Sequence, residues 1–515
     1  MNKVKKLIQL TLITIISALI LQGFQCSSRE MTTAKVAFKN GDYDKAMDFA
    51  QQELTKNPQS DEAYMLIADI YMMKGNLKKA AEFAVKADQI QNKDTKLAQR
   101  PKLLINKIWV DCYNSGIENF NRYFSTQNKK FLDSAINYFE IGKSVRPEML
   151  DFYGFIGQAY ELRGDTLSAI SEYMEFINKS KNEIDWITSR GVYLQKPRRD
   201  MLTQFGKPKL TTGISGSSGD SLLTDFYEID GKDVYFFFKD NKKDLNFSLV
   251  GWRVNPPTHW LPNEQSQWST FNVGPIAALA QINYGRKKYE EALKHVKLLG
   301  VLEPSNTNAN AFLVQIYQDL GKMDEAESYL LQLIKENPKN KIFYAQLGDL
   351  YQTTKQFDKS IEYYKKALEI DPNYDLAIRN IASSYKNRAS IIQAKIKEEL
   401  DAERKKEEAD KKYKSTYKPD LESYFPDLRE SAKYFEMALK TEQYKYDFQV
   451  YSDLVNIYFV MDDKAKMNNY IEKLEQIENY IPQNQKEYYY MELVKIFGYT
   501  KNVEKMKYYQ NKLGK

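Results

Sequence analysis

Very few side chains in this 515-residue sequence could do covalent or metal chemistry. It holds two His and two Cys. His259 sits in the loop Pro256-Pro257-Thr258-His259-Trp260, and His295 lies 36 residues on, in a helical stretch where a solvated or edge position is expected. No HExxH helix, no Cys/His ligand spacing and no Ser/His/Asp order can be assembled from them. Ser383/Lys386 and Ser415/Lys418 match Ser-Xaa-Xaa-Lys, but no Ser-Asp-Asn or Lys-Thr-Gly accompanies them. The loop Gly213-Ile214-Ser215-Gly216-Ser217-Ser218-Gly219-Asp220 is flexible enough to cradle a phosphate, yet it lacks the Gly-Lys-Ser/Thr ending that supplies the cation. Ser217 also breaks Gly-Xaa-Ser-Xaa-Gly, so the loop reads as a linker. Carboxylates are scattered over every helix and nothing singles out a pair. The sequence therefore predicts no enzyme, no catalytic residue, no cofactor and no metal site. Function has to be sought in surfaces and in where the chain is held.

The N-terminus addresses the second point. Lys3, Lys5 and Lys6 precede the 15-residue apolar stretch Leu7–Leu21, followed by Gly23-Phe24-Gln25-Cys26. A basic start, a short apolar core and a processing site read as a secretory signal over residues 1–25. The stretch is short for a bilayer span, which takes about 20 residues. With Cys26 directly after it, the segment resembles the type II signal of bacterial lipoproteins, in which the Cys is lipidated and becomes the first mature residue. Gln25 departs from the small residue that the pattern prefers. The resemblance implies a palmitate-type membrane anchor on Cys26 and a place in the bacterial cell envelope. Ser27 after the Cys is similar to lipoproteins sorted to the outer membrane. Residues 1–25 carry three Lys and no acid, so their removal lowers the formal charge from +6 to +3. That balance gives no reason to expect nucleic acid as a partner. With Cys26 modified, Cys112 has no partner for a disulfide; in Ile108-Trp109-Val110-Asp111-Cys112-Tyr113 it reads as a buried free thiol.

What would present a surface is a repeat. Composition allows a real core: 43% of residues are hydrophobic and 28% charged, too polar for a multi-span membrane protein and too apolar for a disordered chain. Pro304, Pro338 and Pro372 are spaced by 34 and 34. Ahead of the last stand Leu347-Gly348, Tyr351, Ser360, Tyr364 and Ala367; ahead of the middle one stand Leu313-Val314, Tyr317, Ala326, Leu330 and Leu333 in the same register. Gly41 to Gly75 is again 34, with Ala46, Ala50, Ile67-Ala68, Tyr71, Ala80 and Ala84 between and after. Ile156-Gly157, Tyr160, Gly164, Ala169 and Tyr173 form a further copy. Two helices of about 13 residues that cross closely need small residues at the crossing, large apolar ones toward the next pair and Pro after the second helix. This spacing resembles the tetratricopeptide repeat (TPR).

The expected fold is mainly α: two TPR α-solenoid arrays of about ten helix pairs, residues 26–183 and 271–515, flanking a small α+β insert at 184–270 with an antiparallel meander. In the insert, a helix Pro197–Phe205 is followed by strands Leu222–Ile229, Val234–Lys239 and Asn246–Val254, joined by Asp230-Gly231 and Asp240–Lys243 turns. The run Phe205-Gly206-Lys207-Pro208, then Asp225-Phe226-Tyr227, Val234-Tyr235-Phe236-Phe237-Phe238 and Gly251-Trp252-Arg253 is similar to the small lipoprotein of the outer-membrane β-barrel assembly machinery and to Gly-Trp-Xaa-Thr-Asp modules. A charged helical extension interrupts the second array at about 388–425, where Asp401/Lys405 and Glu407/Lys411 would form i,i+4 pairs.

The TPR resemblance implies a concave face, lined by first-helix positions, that binds protein partners. The matching residues are Asp69 and Met72, Gln315 and Gln318, Asp349 and Gln352, and Arg379 and Lys386. The tyrosines at the other register (Tyr71, Tyr160, Tyr317, Tyr351, Tyr385, Tyr458) are expected in the core. The sequence thus points to a lipid-anchored envelope scaffold for protein–protein interaction, with outer-membrane protein assembly as its most specific version. A nutrient- or glycan-binding accessory of an outer-membrane transporter is the alternative; it would use Trp252, Trp260 and Trp268.

Overall fold

The computed structural model of the chain describes residues 28–90, 95–215, 221–240, 246–256, 270–410 and 412–514. Cys26, His259, Trp260, Trp268 and the Gly/Ser loop beyond Ser215 lie outside the described residues. The chain divides into two compact units, Met1–Asn306 and Thr307–Lys515.

The first unit opens with four helix pairs: α1 (Arg29–Lys39) with α2 (Tyr43–Lys56), α3 (Asp61–Met73) with α4 (Leu77–Gln89), α5 (Thr95–Thr126) with α6 (Lys130–Val145), and α7 (Asp151–Arg163) with α8 (Thr166–Thr188). Short polar side chains start many of these helices. Ser28, Asp42, Ser60, Asn76 and Asp165 each accept a hydrogen bond from a backbone N–H in the first turn, satisfying a donor that the helix itself cannot. Inside a pair the turn needs one left-handed residue. Gly41 (φ 81°) and Gly75 (φ 72°) supply it, so the 34-residue glycine spacing is a spacing of backbone conformation. Where the helices cross, Ala46, Ala50, Ala80 and Ala84 are buried completely, which lets the backbones approach.

After α9 (Arg198–Phe205) comes a four-stranded antiparallel meander: β1 (Leu210–Ser215), β2 (Ser221–Ile229), β3 (Lys232–Asp240) and β4 (Ser248–Val254), in that order. The sequence predicts only the last three strands. Leu210–Ser215 was hidden because Thr211-Thr212-Gly213 runs into the Gly/Ser loop, and only pairing with β2 makes it extended. Phe237 joins the core that holds Trp109, Phe139 and Phe152, so the sheet and the helix pairs share one interior. On the opposite face Phe236 stacks on Phe205 of α9, ring centroids 5.7 Å apart. A fifth pair, α10 (Gly274–Gly285) with α11 (Tyr289–Leu302), then packs back onto α7 and α8. Leu279 shares a core with Ala169 and Tyr173. The stack of helix pairs therefore resumes after the sheet in the sequence, against the pair at which it was interrupted.

The second unit contains α12 (Thr307–Asp319) with α13 (Met323–Glu336), α14 (Lys341–Thr353) with α15 (Phe357–Ile370), α16 (Asp375–Ala409) with α17 (Phe425–Ala438), α18 (Phe448–Val460) with α19 (Lys464–Gln476), and α20 (Lys486–Tyr499) with α21 (Val503–Lys512). Tyr351, Tyr385 and Tyr458 are buried here, as is Tyr317, and their register is the core register. Tyr351 and Tyr458 also donate to carboxylates on second helices, Glu327 at 2.6 Å and Glu436 at 2.8 Å.

Two local expectations are corrected. His295 is buried rather than solvated: its Nδ1 lies 2.7 Å from the Glu291 carbonyl oxygen, and burial pulls its pKa down. It sits between Ala292 and Val296 on the packed face of α11, so the neutral ring is the form the site favours. On the α16 extension, Asp401 pairs with Arg404 at 3.2 Å rather than with Lys405. Glu407 accepts the Ser415 backbone N–H at 2.9 Å, and Lys411 lies outside the described residues. A strap, residues 412–424, returns along α16 and engages other carboxylates of it: Tyr413 and Ser415 donate to Glu403, and Tyr417 donates to Glu399.

Candidate functional site

Within each unit first helices of neighbouring pairs touch (α1 with α3, α7 with α10, α14 with α16, α18 with α20), and the sequence-selected residues all lie on first helices. In the first unit Asp69 on α3 forms an ion pair with Arg100 on α5. Burial raises the Asp69 carboxyl above its usual range and Arg100 pulls it back. Met72 packs on the core around Ala68 and Trp109, so it contributes packing rather than a free surface.

In the second unit Gln315 is exposed and donates to Asp319 one turn on at 3.3 Å, while Gln318 is half-buried. Asp349 and Gln352 do come together, through a residue of the second helix. The Tyr364 hydroxyl donates to Asp349 and lies 2.9 Å from Gln352 Oε1; Asn380 of α16 donates to the same Asp349 oxygen at 3.0 Å. Arg379 donates to Asn380 Oδ1 at 3.3 Å. Burial raises the Asp349 carboxyl, and the bonds from Tyr364 and Asn380 and the charge of Arg379 partly offset it. Burial and the neighbouring carboxylate push the Tyr364 hydroxyl far up, so it stays a donor. Lys386 is not part of this network; its ammonium pairs with Asp453 at 2.7 Å. Nor does it activate Ser383, which is buried.

The crossing beneath the network sets where the Tyr364 ring sits. A Cβ on Gly348 would lie 2.7 Å from the Tyr364 ring, and one on Gly157 would lie 2.4 Å from the Tyr173 ring. At each crossing the glycine is the seat of an aromatic ring from the second helix. The ring's hydroxyl then reaches a polar residue on the first-helix face: Asp349 in one case and, at 2.9 Å, Glu161 in the other.

That second crossing borders a cleft of about 300 Å³ between α7 and α10, within the first unit. Gln158 and Gln281 line it from the two helices, both exposed and with no hydrogen-bond partner among the described residues. Gly154, Ala277 and Ala278 leave its floor open, and Pro275 closes to within 3.2 Å of where a Gly154 Cβ would be. The sequence reading missed both glutamines. The signal was available: Gln281, Gln315 and Asp349 are spaced by 34 and 34, and Gln158 follows Gly157 as Asp349 follows Gly348.

A half-buried charged group was also missed. Asp151 at the start of α7 and Glu183 near the end of α8 are both raised by burial, with Arg253 of β4 opposing the shift in each. Glu183 Oε1 accepts the Val254 N–H at 3.2 Å, which ties the sheet to the helix pair. Among the described residues no group of three or more His, Cys, Asp or Glu is arranged to hold a metal ion. Nor is any described helix long and apolar enough to cross a membrane.

These features define a chain of stacked helix pairs with a polar first-helix face, and sequence models of the tetratricopeptide repeat match it at residues 37–100, 283–348 and 343–374. The chain carries tetratricopeptide repeats in both units. Among solved structures it is similar to MamA (12% identity over 40% of this chain and 92% of that one, TM-score 0.29), to PilF of Pseudomonas aeruginosa (12% over 47% and 90%, TM-score 0.31) and to yeast Tom70 (11% over 89% and 86%, TM-score 0.32). No curated protein sequence matches it.

Proposed function

We propose that the chain is a non-catalytic scaffold of the bacterial cell envelope, anchored to the outer membrane by lipid on Cys26, that holds extended polypeptide on its first-helix face during outer-membrane protein assembly. The observation that carries the partner reading is the pair Gln158 and Gln281, facing one cleft with no hydrogen-bond partner among the described residues. A carboxamide both donates and accepts, as a peptide bond does, so two of them across a cleft suit a main chain. The anchor reading rests on the sequence alone, through Leu7–Leu21 and Cys26. The glycan alternative gains no support: Trp252 is buried completely, stacked on Phe271 at 4.7 Å between ring centroids.

The test is recovery of bound proteins from detergent-solubilised envelopes, read by mass spectrometry. Gln158→Ala with Gln281→Ala should lose partners that the unmodified chain recovers, barrel-assembly components among them. An unchanged set would remove the cleft from the account. Cys26→Ala, followed by a lipid-analogue label and membrane fractionation, tests the anchor; label and membrane association that survive the substitution contradict it. Deleting 184–270 outright would be uninformative, because Phe237 is part of the same core as Trp109.

A further inference from the structure

The sheet has two edges, and the structure treats them differently. The β4 edge is covered: Leu249 accepts from Gln195 N–H at 2.7 Å and donates to Lys196 at 3.0 Å, and Val250 accepts from Phe271 at 2.9 Å. Because Leu249 spends its backbone groups away from β3, its neighbour Phe238 must turn its own toward β2, where it faces Leu223. Leu223 is then bonded to β3, so Gly213, opposite Leu223 on β1, turns its N–H and C=O outward. By the same alternation Thr211 and Ser215 face outward too. Among the described residues no backbone group outside β2 bonds to Thr211, Gly213 or Ser215.

An open edge is a template for another strand, and edges are commonly blunted by Lys, Pro or a bulge. Leu210-Thr211-Thr212-Gly213-Ile214-Ser215 carries no charge and no proline, and its pairing with β2 runs without a register shift. It is also self-complementary. With a two-fold axis through Gly213, antiparallel pairing sets Thr211 opposite Ser215 and Gly213 opposite its own copy. All three outward-facing residues then exchange both their bonds. Lys207 and Lys209 of each copy fall at opposite ends, beyond the other strand's Ser215, so no like charges meet. Glycine on the axis also means that no side chain meets its own copy there. We propose that β1 pairs antiparallel with β1 of a second copy of this chain, joining two four-stranded sheets into one.

The experiment is sedimentation velocity on the full chain in mild detergent, from low micromolar to several hundred micromolar protein. The expected result is a concentration-dependent rise from the 60.2 kDa monomer toward twice that mass. Gly213→Pro and, separately, Ser215→Pro each remove an outward donor without touching the β2 ladder, a position where an edge strand accepts Pro. Each should weaken the dimer at least tenfold while far-UV circular dichroism and Tm stay put. If one variant misfolds, the other carries the test. A chain that stays monomeric across the range overturns the proposal, and so does a dimer whose affinity survives both substitutions in folded protein.

Discussion

Replacing Gly348 with Ala tests the packing that holds the second unit's polar face in place. The new Cβ would sit 2.7 Å from Tyr364 Cε1, 2.8 Å from Cδ1 and 3.0 Å from Cγ. All three are ring atoms, so no flexible end can swing aside. Tyr364 is buried completely, and its hydroxyl is fixed by Asp349 and Gln352. Relief therefore requires the helices to part or the ring to leave those bonds. Overpacking of this kind costs about 1–3 kcal/mol, and each hydrogen bond lost adds about 1 kcal/mol. Against that stands the better helix propensity of Ala, worth about 1 kcal/mol. The net is a loss of about 1–3 kcal/mol, or roughly 5- to 150-fold in local opening at about 1.4 kcal/mol per factor of ten. With ten helix pairs among the described residues, in two units, a single unfolding curve would blur the effect, so the assay is amide hydrogen exchange of peptides covering 341–370. Protection there should fall by that factor, with little change in α1–α4. Protection that rises, as propensity alone predicts, would refute the reasoning.

Three further outcomes follow from the same structure. Lys355 occupies the left-handed turn position (φ 59°) that Gly41, Gly75 and Gly321 hold elsewhere, so Lys355→Gly should stabilise the α14–α15 pair by about 0.5–1 kcal/mol; slower exchange of the same peptides checks it. Asp349 has a raised folded-state pKa, so its stabilising proton is fully bound below the unfolded value of about 3.9 and is lost as pH rises through the folded value. Asp349→Asn should therefore resist denaturant better than the parent at pH 7, with the advantage gone in acid; a gain that persists unchanged at low pH contradicts this. Burial pushes the Cys112 thiol up to about 12, so an alkylating reagent at pH 8 should leave it unmodified in the folded chain and label it fully in denaturant, as mass spectrometry would read.

The repeat was legible because its constraints are local and recur: a glycine or equivalent at each left-handed turn, a small residue under each ring, a proline after the pair. Tyr351, Tyr385 and Tyr458 could be placed in the core from register alone. What was not legible depends on long-range contacts. β1 has a loop's composition, and only Leu222–Phe226 across from it makes it a strand. Residue type alone points His295 toward solvent, whereas its neighbours Ala292 and Val296 decide its burial. On the first-helix face, sequence could select Asp349 and Gln352 but not reveal that Tyr364 and Asn380 already engage them. The positions left unspent, Gln158 and Gln281, flank an insertion that breaks the period, and the cleft exists only because α10 returns to α7.

That return makes one measurement decisive for the partner-binding claim. A photo-crosslinking amino acid is placed at Gln281, facing the cleft, or at Lys294, exposed on the second helix α11, and irradiated in living cells. Discrete polypeptide adducts are expected from position 281, absent from position 294 and reduced when Gln158→Ala is added. Adducts that are equal at the two positions, or none from position 281, would contradict it.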